Sequence, residues 1–373
     1  MSRGEPPWVR DERLPGRRRR RAEPPPAGVE AQPLGFGRVR TSVADPADGL
    51  VAGVAEAPRW PIGEARDDAI LRVLALSGGG AGGAFGAGAL VGLSQAGARP
   101  MFDVVTGVST GALIAPFAFL GPEWDAPLTE AYTGGVASDA LALTGVRPGL
   151  GLYPADRLSG LVRRYVSDEL LQAVAAAHGE GRRLLVATAN LDDQSTSIWD
   201  MGAIAAQGGP PALRLFEDVL VASASLPGVF PPKLIAVGAD GALFEEMHVD
   251  GGAVSPLFVV PDPRLLPRGR QLGAEVYALV NTTLHGRTSP TPLGAFSVVT
   301  RSFELMLRST YRHALRSVAT FCHANGLTLD TASIPGDFGA GSMLRFERAA
   351  MLQMFDHGAQ LARSGQLWSR MVA

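Results

Sequence analysis

A serine held between two glycines is the first candidate for chemistry in this chain. Ser109 stands at the centre of a G-x-S-x-G pattern with Gly107 and Gly111. A short β-branched stretch, residues 102–106, precedes it, and an apolar stretch that can form a buried helix follows it. Such a strand-to-helix turn exposes a nucleophile and leaves no room for side chains two positions away. A chain with 46 glycines also produces this pattern by chance, so the surrounding residues must support the prediction.

A glycine cluster follows a strand predicted at residues 71–76. Gly78, Gly80 and Gly83 fit the spacing G-x-G-x-x-G, and the next residues open a helix predicted from 84 to 96. Backbone N–H groups at the start of a helix favour negative charge. That charge is the pyrophosphate of a dinucleotide in one interpretation and the oxyanion of a tetrahedral intermediate in the other.

The two interpretations differ in the acid they need. Asp103 has the spacing of a ribose-binding acid, but such an acid ends a strand, whereas Asp103 begins the strand predicted at residues 103–107. In the oxyanion interpretation, Gly79 and Gly80 supply the N–H groups. If the first two strands are parallel neighbours, these glycines lie beside Ser109 at the carboxyl ends of both strands.

A serine nucleophile also needs a group that accepts its proton. The late histidines are not placed in loops after core strands, and two of them fall inside a long helix predicted over residues 292–323; they are His285, His313, His323 and His357. Asp250, in contrast, ends a short predicted strand and is followed by Gly251 and Gly252, which let the chain turn closely past a site. This arrangement favours Asp250 as the direct partner of Ser109.

These motifs, in this order, resemble the signature of the patatin-like phospholipase family. The resemblance covers residues 71–256 and includes the segment 222–231. It implies an α/β fold, a three-layer sandwich with a mainly parallel central sheet flanked by helices. It also implies a catalytic dyad of Ser109 and Asp250, without a metal or other cofactor, and an oxyanion hole built from Gly78, Gly79, Gly80 and Gly83.

The resemblance further implies a serine acyl hydrolase that cleaves carboxylic ester bonds of lipids, of the phospholipase A or lysophospholipase type. A buried, apolar site would raise the pKa of Asp250 from about 4 and make it a better base. The apolar residues 113–120 and 226–230 can supply such surroundings and receive an acyl chain. His248 is on the same side of its strand as Asp250. We expect it either to pack in the core with its hydrogen bonds satisfied or to orient Asp250.

One departure from the family pattern keeps alternatives open. Many members have Arg or Lys just before the last glycine of the loop, where this chain has Gly82. A catalytically weak lipid-binding scaffold is therefore an alternative, as is a nucleotide-binding protein that uses the loop from Gly78 to Gly83.

Charge and composition divide the chain near residue 68. The net charge is −2, yet the first 40 residues contain ten arginines and five acidic residues. We predict a disordered, basic, proline-rich leader followed by an irregular wrapping segment over residues 1–68, and one hydrolase domain over residues 69–373. The acidic balance of that domain gives no general attraction to nucleic acid.

Hydropathy predicts where the protein acts. No apolar run reaches the ~18 residues of a membrane span, and the first residues lack the apolar core of a secretory signal. We therefore expect a cytoplasmic protein with possible peripheral membrane contact. The one cysteine, Cys322, cannot form an internal disulfide and is predicted to pack as an apolar residue. The sequence does not indicate an oligomeric state.

Overall fold

One mixed β-sheet runs through the part of the chain that the structure describes. The computed structural model describes residues 21–43, 70–140, 153–259, 274–286, 290–336 and 346–371. Its strands are β1 (Gln32–Pro33), β2 (Arg40–Val43), β3 (Leu71–Leu76), β4 (Val104–Val108), β5 (Arg183–Asn190), β6 (Ser195–Asp200), β7 (Lys233–Ala239), β8 (Ala242–Asp250), β9 (Ala274–Val280), β10 (Thr328–Ser333) and β11 (Ser369–Arg370). Their order is β1-β7-β8-β5-β4-β3-β9-β10-β11, with β6 paired to β5 and β2 paired to β6.

The centre of the sheet is parallel. Strands β5, β4, β3, β9 and β10 run side by side in the same direction. β3, β4 and β5 are almost continuously buried because helices cover both faces of the sheet. β3 and β4 are neighbours, with Leu76 opposite Gly107, as the oxyanion interpretation of the glycine loop requires.

Ten helices accompany the sheet in the described residues. They are α1 (Gly83–Gln95), α2 (Thr110–Leu120), α3 (Asp125–Thr133), α4 (Val136–Ala140), α5 (Ala155–Tyr165), α6 (Asp168–Gly179), α7 (Met201–Gln207), α8 (Gly209–Ser223), α9 (Ala295–Ala324) and α10 (Arg348–Arg363). The helices predicted at residues 84–96, 110–120 and 292–323 are confirmed as α1, α2 and α9. None of the described helices combines the length and the hydropathy needed to cross a bilayer.

The helices form two layers, one on each face of the sheet. Alternate residues of β3 point to opposite sides, so that Leu74 joins one buried cluster and Val73 joins the other. Helix α9 packs over the second cluster through Leu315 and Cys322, and Cys322 is buried as predicted. The other large helices cover the first cluster. The fold is therefore the predicted three-layer α/β sandwich with a mainly parallel central sheet.

The segment before β3 contributes to the sheet. Its described part, residues 21–43, lies within the predicted leader and wrapping segment and contains β1 and β2, which pair with β7 and β6. The domain boundary at residue 68 stays a prediction. β6 is buried and lies between β5 and the edge strand β2.

Strand β5 aligns two other strands end to end. β4 runs parallel to β5 and ends with Val108 opposite Ala187. β8 runs antiparallel to β5 and ends with Asp250 opposite Thr188, the next residue. The last residues of β4 and β8 therefore meet at consecutive positions of one strand, which brings the residues that follow Val108 next to Asp250.

Close packing of two helices fixes the direction of α1, the helix that follows the glycine loop. A Cβ atom added at Gly88 of α1 would overlap the carbonyl oxygen of Phe355 in α10, and one added at Gly358 of α10 would overlap the carbonyl oxygen of Phe85. The two backbones thus touch at positions where only glycine fits. α10 thereby holds α1, and with it the loop at its N-terminus.

Gly88→Ala tests this contact. We expect the free energy of unfolding to fall by about 2 kcal/mol or more, because the added methyl group forces the two backbones apart. Gly160→Ala in α5 is the matched control, since nothing lies within 4 Å of a Cβ at Gly160 and alanine favours a helix by about 0.5–1 kcal/mol. Urea denaturation of both variants measures the effect, and an unchanged stability of Gly88→Ala would contradict the close contact.

Candidate active site

Ser109 sits at a strained turn between β4 and α2. Its φ of 56° and ψ of −127° lie outside the regions that a residue with a side chain normally adopts. The Ser109 N–H donates to the Ser223 hydroxyl at 3.0 Å, and that hydroxyl donates to the Ala187 carbonyl at 2.7 Å. Ser223 therefore links the turn at Ser109 to Ala187 of β5, which lies opposite the last residue of β4.

The glycines on either side of Ser109 are required by close backbone contacts. A Cβ at Gly107 would lie 2.7 Å from the Gly111 carbonyl oxygen, and a Cβ at Gly111 would lie 2.6 Å from the Ser77 carbonyl oxygen. Such distances are too short for a real Cβ, so both positions need glycine. The second contact also packs the turn against the start of the glycine loop.

Asp250 ends β8 beside Ser109. Its carboxylate accepts a hydrogen bond from the Gly252 N–H at 2.7 Å and one from the Ser109 hydroxyl. Only 2% of the residue is exposed. Burial disfavours the charged form more than the two hydrogen bonds favour it, which raises the pKa of Asp250 to about 6. The carboxylate is therefore largely ionised at neutral pH and is a stronger base than an exposed aspartate.

The two glycines after Asp250 let the chain turn close to β5. A Cβ at Gly251 would lie 2.5 Å from the Ala187 carbonyl oxygen, and a Cβ at Gly252 would lie 3.0 Å from the Asp250 carboxylate. These contacts explain why two small residues follow the acid.

The glycine loop has two free N–H groups, on residues that line the same cleft as Ser109. Gly79 and Gly80 have φ values of 153° and 57°, which favour glycine, and among the described residues no acceptor binds their N–H groups. Gly78 donates to the Pro256 carbonyl at 3.1 Å, and the Gly83 N–H is bonded within the loop. The structure therefore narrows the predicted set of four glycines to Gly79 and Gly80 as available donors, with Gly78 and Gly83 shaping the loop.

Asn281, which sequence reasoning missed, supports the loop from the end of β9. Its side-chain amide donates to the Ser77 carbonyl at 2.7 Å, and its N–H donates to the Ser77 hydroxyl at 2.9 Å. A Cβ at Gly79 or Gly82 would overlap the Asn281 carbonyl oxygen. The close approach of the Asn281 backbone therefore requires glycine at position 82. The short, apolar stretch that precedes Asn281, residues 276–280, was the available signal.

Two tyrosines were also missed by the sequence reasoning. Tyr311 of α9 and Tyr132 of α3 both line the space in front of Ser109. The Tyr311 hydroxyl would lie 2.6 Å from a Cβ at Gly78, and burial, with a smaller effect of the Asp250 charge, raises the pKa of Tyr311. Tyr132 hydrogen-bonds to the Thr110 hydroxyl at 2.8 Å. No sequence motif marks either residue.

His248 belongs to a buried polar network behind Asp250. Burial lowers the pKa of His248 and keeps the ring neutral. Its Nε2 donates to Glu246 at 3.0 Å, and its Nδ1 accepts from the Thr188 hydroxyl at 3.0 Å. Glu246 also pairs with Arg40 of β2. Both ring nitrogens are thus occupied away from Ser109, so His248 supports the strand that carries Asp250.

A cleft leads to Ser109 and Asp250. Its volume is about 1160 Å³ including the open mouth. Gly79 and Gly80 lie on its wall, and most other lining side chains are apolar, among them Leu113, Pro116, Phe117, Leu158, Leu226 and Phe230. Residues from both apolar stretches singled out in the sequence therefore line the cleft.

Asp103 does not lie where a ribose-binding acid is needed. Asp103 lies at the start of β4, at the opposite end of the sheet from the glycine loop, and accepts the Arg72 N–H at 2.7 Å. Among the described residues, no three His, Cys, Asp or Glu side chains are grouped as metal ligands.

Comparison with known proteins agrees with these motifs. The family model for patatin-like phospholipases matches residues 74–261, a range that contains the glycine loop, Ser109 and Asp250. No curated protein sequence matches the chain.

Solved structures show distant similarity. VipD from Legionella pneumophila is 11% identical, with 96% of this chain and 73% of that chain covered and a TM-score of 0.35. Human GIVD cytosolic phospholipase A2, bound to methyl γ-linolenyl fluorophosphonate, is 13% identical over 80% of this chain and 57% of that chain, with a TM-score of 0.32. The type III effector ExoU is 16% identical over 81% of this chain and 55% of that chain, with a TM-score of 0.22. The chain thus spans little more than half the length of the last two.

Asp250→Asn should stabilise the protein at neutral pH. Since the folded-state pKa of Asp250 is raised from 3.8 to about 6, wild-type stability falls as the pH rises through this range, because the unfolded chain ionises this carboxyl while the folded protein keeps it protonated. Two pKa units correspond to roughly 3 kcal/mol. We expect the variant to gain on the order of 2 kcal/mol over wild type at pH 8 and almost nothing at pH 3.5, measured by urea denaturation.

Asp240→Asn is the matched control, because Asp240 is exposed in the turn between β7 and β8. Its stability difference from wild type should not grow in the same way with pH. Equal differences for Asp250→Asn at both pH values would contradict the desolvated state of the Asp250 carboxylate.

Proposed function

Because the chain belongs to the patatin-like phospholipase family, a family of lipid hydrolases, we propose that it cleaves carboxylic ester bonds of lipids through a dyad of Ser109 and Asp250. The observation that carries this proposal is the hydrogen bond from the Ser109 hydroxyl to a buried carboxylate. In the described residues no histidine lines the cleft. A carboxylate therefore stands where many serine hydrolases use an imidazole.

In the proposed acylation step, the Ser109 oxygen attacks the ester carbonyl and Asp250 accepts the hydroxyl proton. The pKa of about 6 of Asp250 lies close to neutral pH, where a base can both take up and release a proton efficiently. Collapse of the tetrahedral intermediate breaks the bond to the alcohol, which leaves with the proton that Asp250 returns to it. The acyl group is then bound to Ser109.

In the proposed deacylation step, Asp250 removes a proton from water, and the resulting hydroxide attacks the acyl carbonyl. The carboxylic acid leaves, and Ser109 regains its proton. In both steps, the N–H groups of Gly79 and Gly80 donate to the oxyanion. Their free hydrogen-bonding capacity supports this role, and one such donor contributes a factor of about 10²–10³ to the rate in other hydrolases.

The shape and polarity of the cleft support a lipid with a long acyl chain as substrate. Its apolar wall, which includes Leu113 and Phe230, can hold hydrocarbon and exclude water from the dyad. We therefore propose activity of the phospholipase A or lysophospholipase type, in which a fatty acyl ester is cleaved.

Ser109→Ala and Asp250→Asn test the dyad. Both should lower kcat for a phospholipid, a lysophospholipid and a p-nitrophenyl acyl ester by about 10³-fold or more, because each removes a group that acts in every step. KM should change little. Hydrolysis is followed by release of fatty acid or p-nitrophenol.

Ser94→Ala and Asp103→Asn are matched controls, because neither residue lines the cleft and neither hydrogen-bonds to a residue that does. They should retain wild-type kcat. Full activity of either dyad variant would contradict the proposal, and an inactive wild-type protein that still binds these lipids would favour the lipid-binding scaffold instead.

A further inference from the structure

Exposed apolar side chains are concentrated at the start of α9. Of the twelve large hydrophobic residues that are exposed among the described residues, six lie between positions 293 and 306. Leu293 precedes the helix, and five residues lie on it: Val298, Val299, Phe303, Leu305 and Met306. We call these five residues the apolar face of α9. Such a concentration is unusual on a protein surface and marks an interaction site.

The apolar face is separate from the side of α9 that packs on the sheet. At 3.6 residues per turn, its five residues occupy a sector of about 160°. The buried residues Leu307, Tyr311 and Leu315 lie outside this sector and contact the sheet. Val299 and Met306 are 66% and 67% exposed. α9 therefore has one apolar side in the core and a second one that faces outwards.

A basic stripe runs beside the apolar face. Helix α9 contains four arginines and one acidic residue, Glu304, which pairs with Arg301. The other three arginines, Arg308, Arg312 and Arg316, follow at intervals of four residues and therefore line one side of the helix. Arg312 and Arg316 are exposed, and neither forms an ion pair with the described residues.

An apolar side bordered by arginines is the pattern of a helix that lies in the surface of an anionic lipid bilayer. The apolar residues enter the boundary of the acyl chains while the cations remain among the lipid headgroups. Another protein that covered this face would have to match both the apolar residues and the positive charge. A lipid surface matches both without a specific shape.

The helix that carries the apolar face also forms part of the wall of the proposed active site. Leu307 and Tyr311 of the same helix line the cleft, and Leu307 directly follows Met306 of the apolar face. A bilayer that contacts the apolar face would therefore lie against the helix that forms one wall of the cleft. Substrate could pass from the bilayer to Ser109 with little exposure of its acyl chain to water.

We propose that the apolar face and basic stripe of α9 dock the protein on an anionic lipid bilayer and hold the cleft against the membrane. This inference rests on the proposed lipid hydrolysis, because it proposes that the protein takes its lipid substrate from a bilayer. It adds a binding surface that is distinct from the dyad.

Sedimentation of the full-length protein with vesicles tests the proposal. The vesicles consist of phosphatidylcholine alone or with roughly a third phosphatidylglycerol, at low salt. A variant with Val299→Gln, Phe303→Gln and Met306→Gln should lose about tenfold or more of its partitioning to the anionic vesicles. Arg312→Gln with Arg316→Gln should remove most of the preference for anionic over neutral vesicles.

A matched control changes three exposed apolar residues elsewhere, Met101→Gln, Leu191→Gln and Leu243→Gln, which are 56%, 47% and 57% exposed. It should partition like wild type. Circular dichroism and hydrolysis of a water-soluble short-chain ester verify that each variant is folded, and this activity should stay within about twofold of wild type while hydrolysis of vesicle phospholipid falls with binding.

Ser109→Ala separates this proposal from the proposed function. It should bind vesicles like wild type even though it hydrolyses neither substrate. If vesicle binding is seen but wild type shows no hydrolysis, only the proposed function fails. The docking proposal is overturned if the α9 variant binds like the control, or if wild type does not bind anionic vesicles. It is also overturned if the α9 variant converts a dimer to a monomer without changing vesicle binding.

Discussion

The geometry of the site depends on the backbone pairing of two consecutive residues of β5. Ala187 pairs with the last residue of β4, and Thr188 pairs with Asp250, the last residue of β8. One strand thus sets the position of both chain ends. A shift of one residue in either pairing would turn the following side chain to the other face of the sheet. The surrounding contacts reinforce this register, since the Ala187 carbonyl accepts the Ser223 hydroxyl and packs on Gly251.

The same arrangement determines the charge state of the proposed base. Asp250 is buried where the ends of β4 and β8 meet. Burial raises its pKa more strongly than its hydrogen bonds from Ser109 and Gly252 lower it. The nearby buried carboxylate of Glu246 behaves in the opposite way. Burial by itself raises its pKa, but hydrogen bonds from Arg40 and His248 outweigh burial and hold the pKa at about 2. The difference is a cation: Glu246 has Arg40, whereas Asp250 is offered only neutral donors.

Much of this site could be predicted from short stretches of sequence, because its motifs end strands that are themselves apolar and compact. The turn at Ser109 and the loop at Gly79 each follow such a strand, and parallel neighbours bring their carboxyl ends together. Asp250 was marked by the two glycines that follow it, and it reaches Ser109 because β8 runs antiparallel to β5 and meets β4 end to end. The long helix α9 was also predictable from its length and its lack of interruption. These features depend on local pattern and on general rules of chain topology.

The missed features depend on contacts between distant parts of the chain. β2 comes from a segment whose composition suggests irregular structure, and only its pairing with β6 makes it a strand. Asn281 and Tyr311 belong to no motif, and their roles follow from the loop that packs on them. The apolar face of α9 was hidden for another reason: the helix is apolar on two sides, and only the position of the sheet separates the buried side from the exposed one.

The most direct test of the dyad is the pH dependence of the rate at which a fluorophosphonate labels Ser109, compared between wild type and Asp250→Asn. If Asp250 accepts the proton of Ser109, the wild-type rate should rise about tenfold per pH unit at low pH and level off above the pKa of the base. That pKa is about 6. The variant should lose both most of the rate and this inflection. An Asp250→Asn variant that keeps the wild-type rate and the inflection near pH 6 would contradict the account, because another group would then be the base.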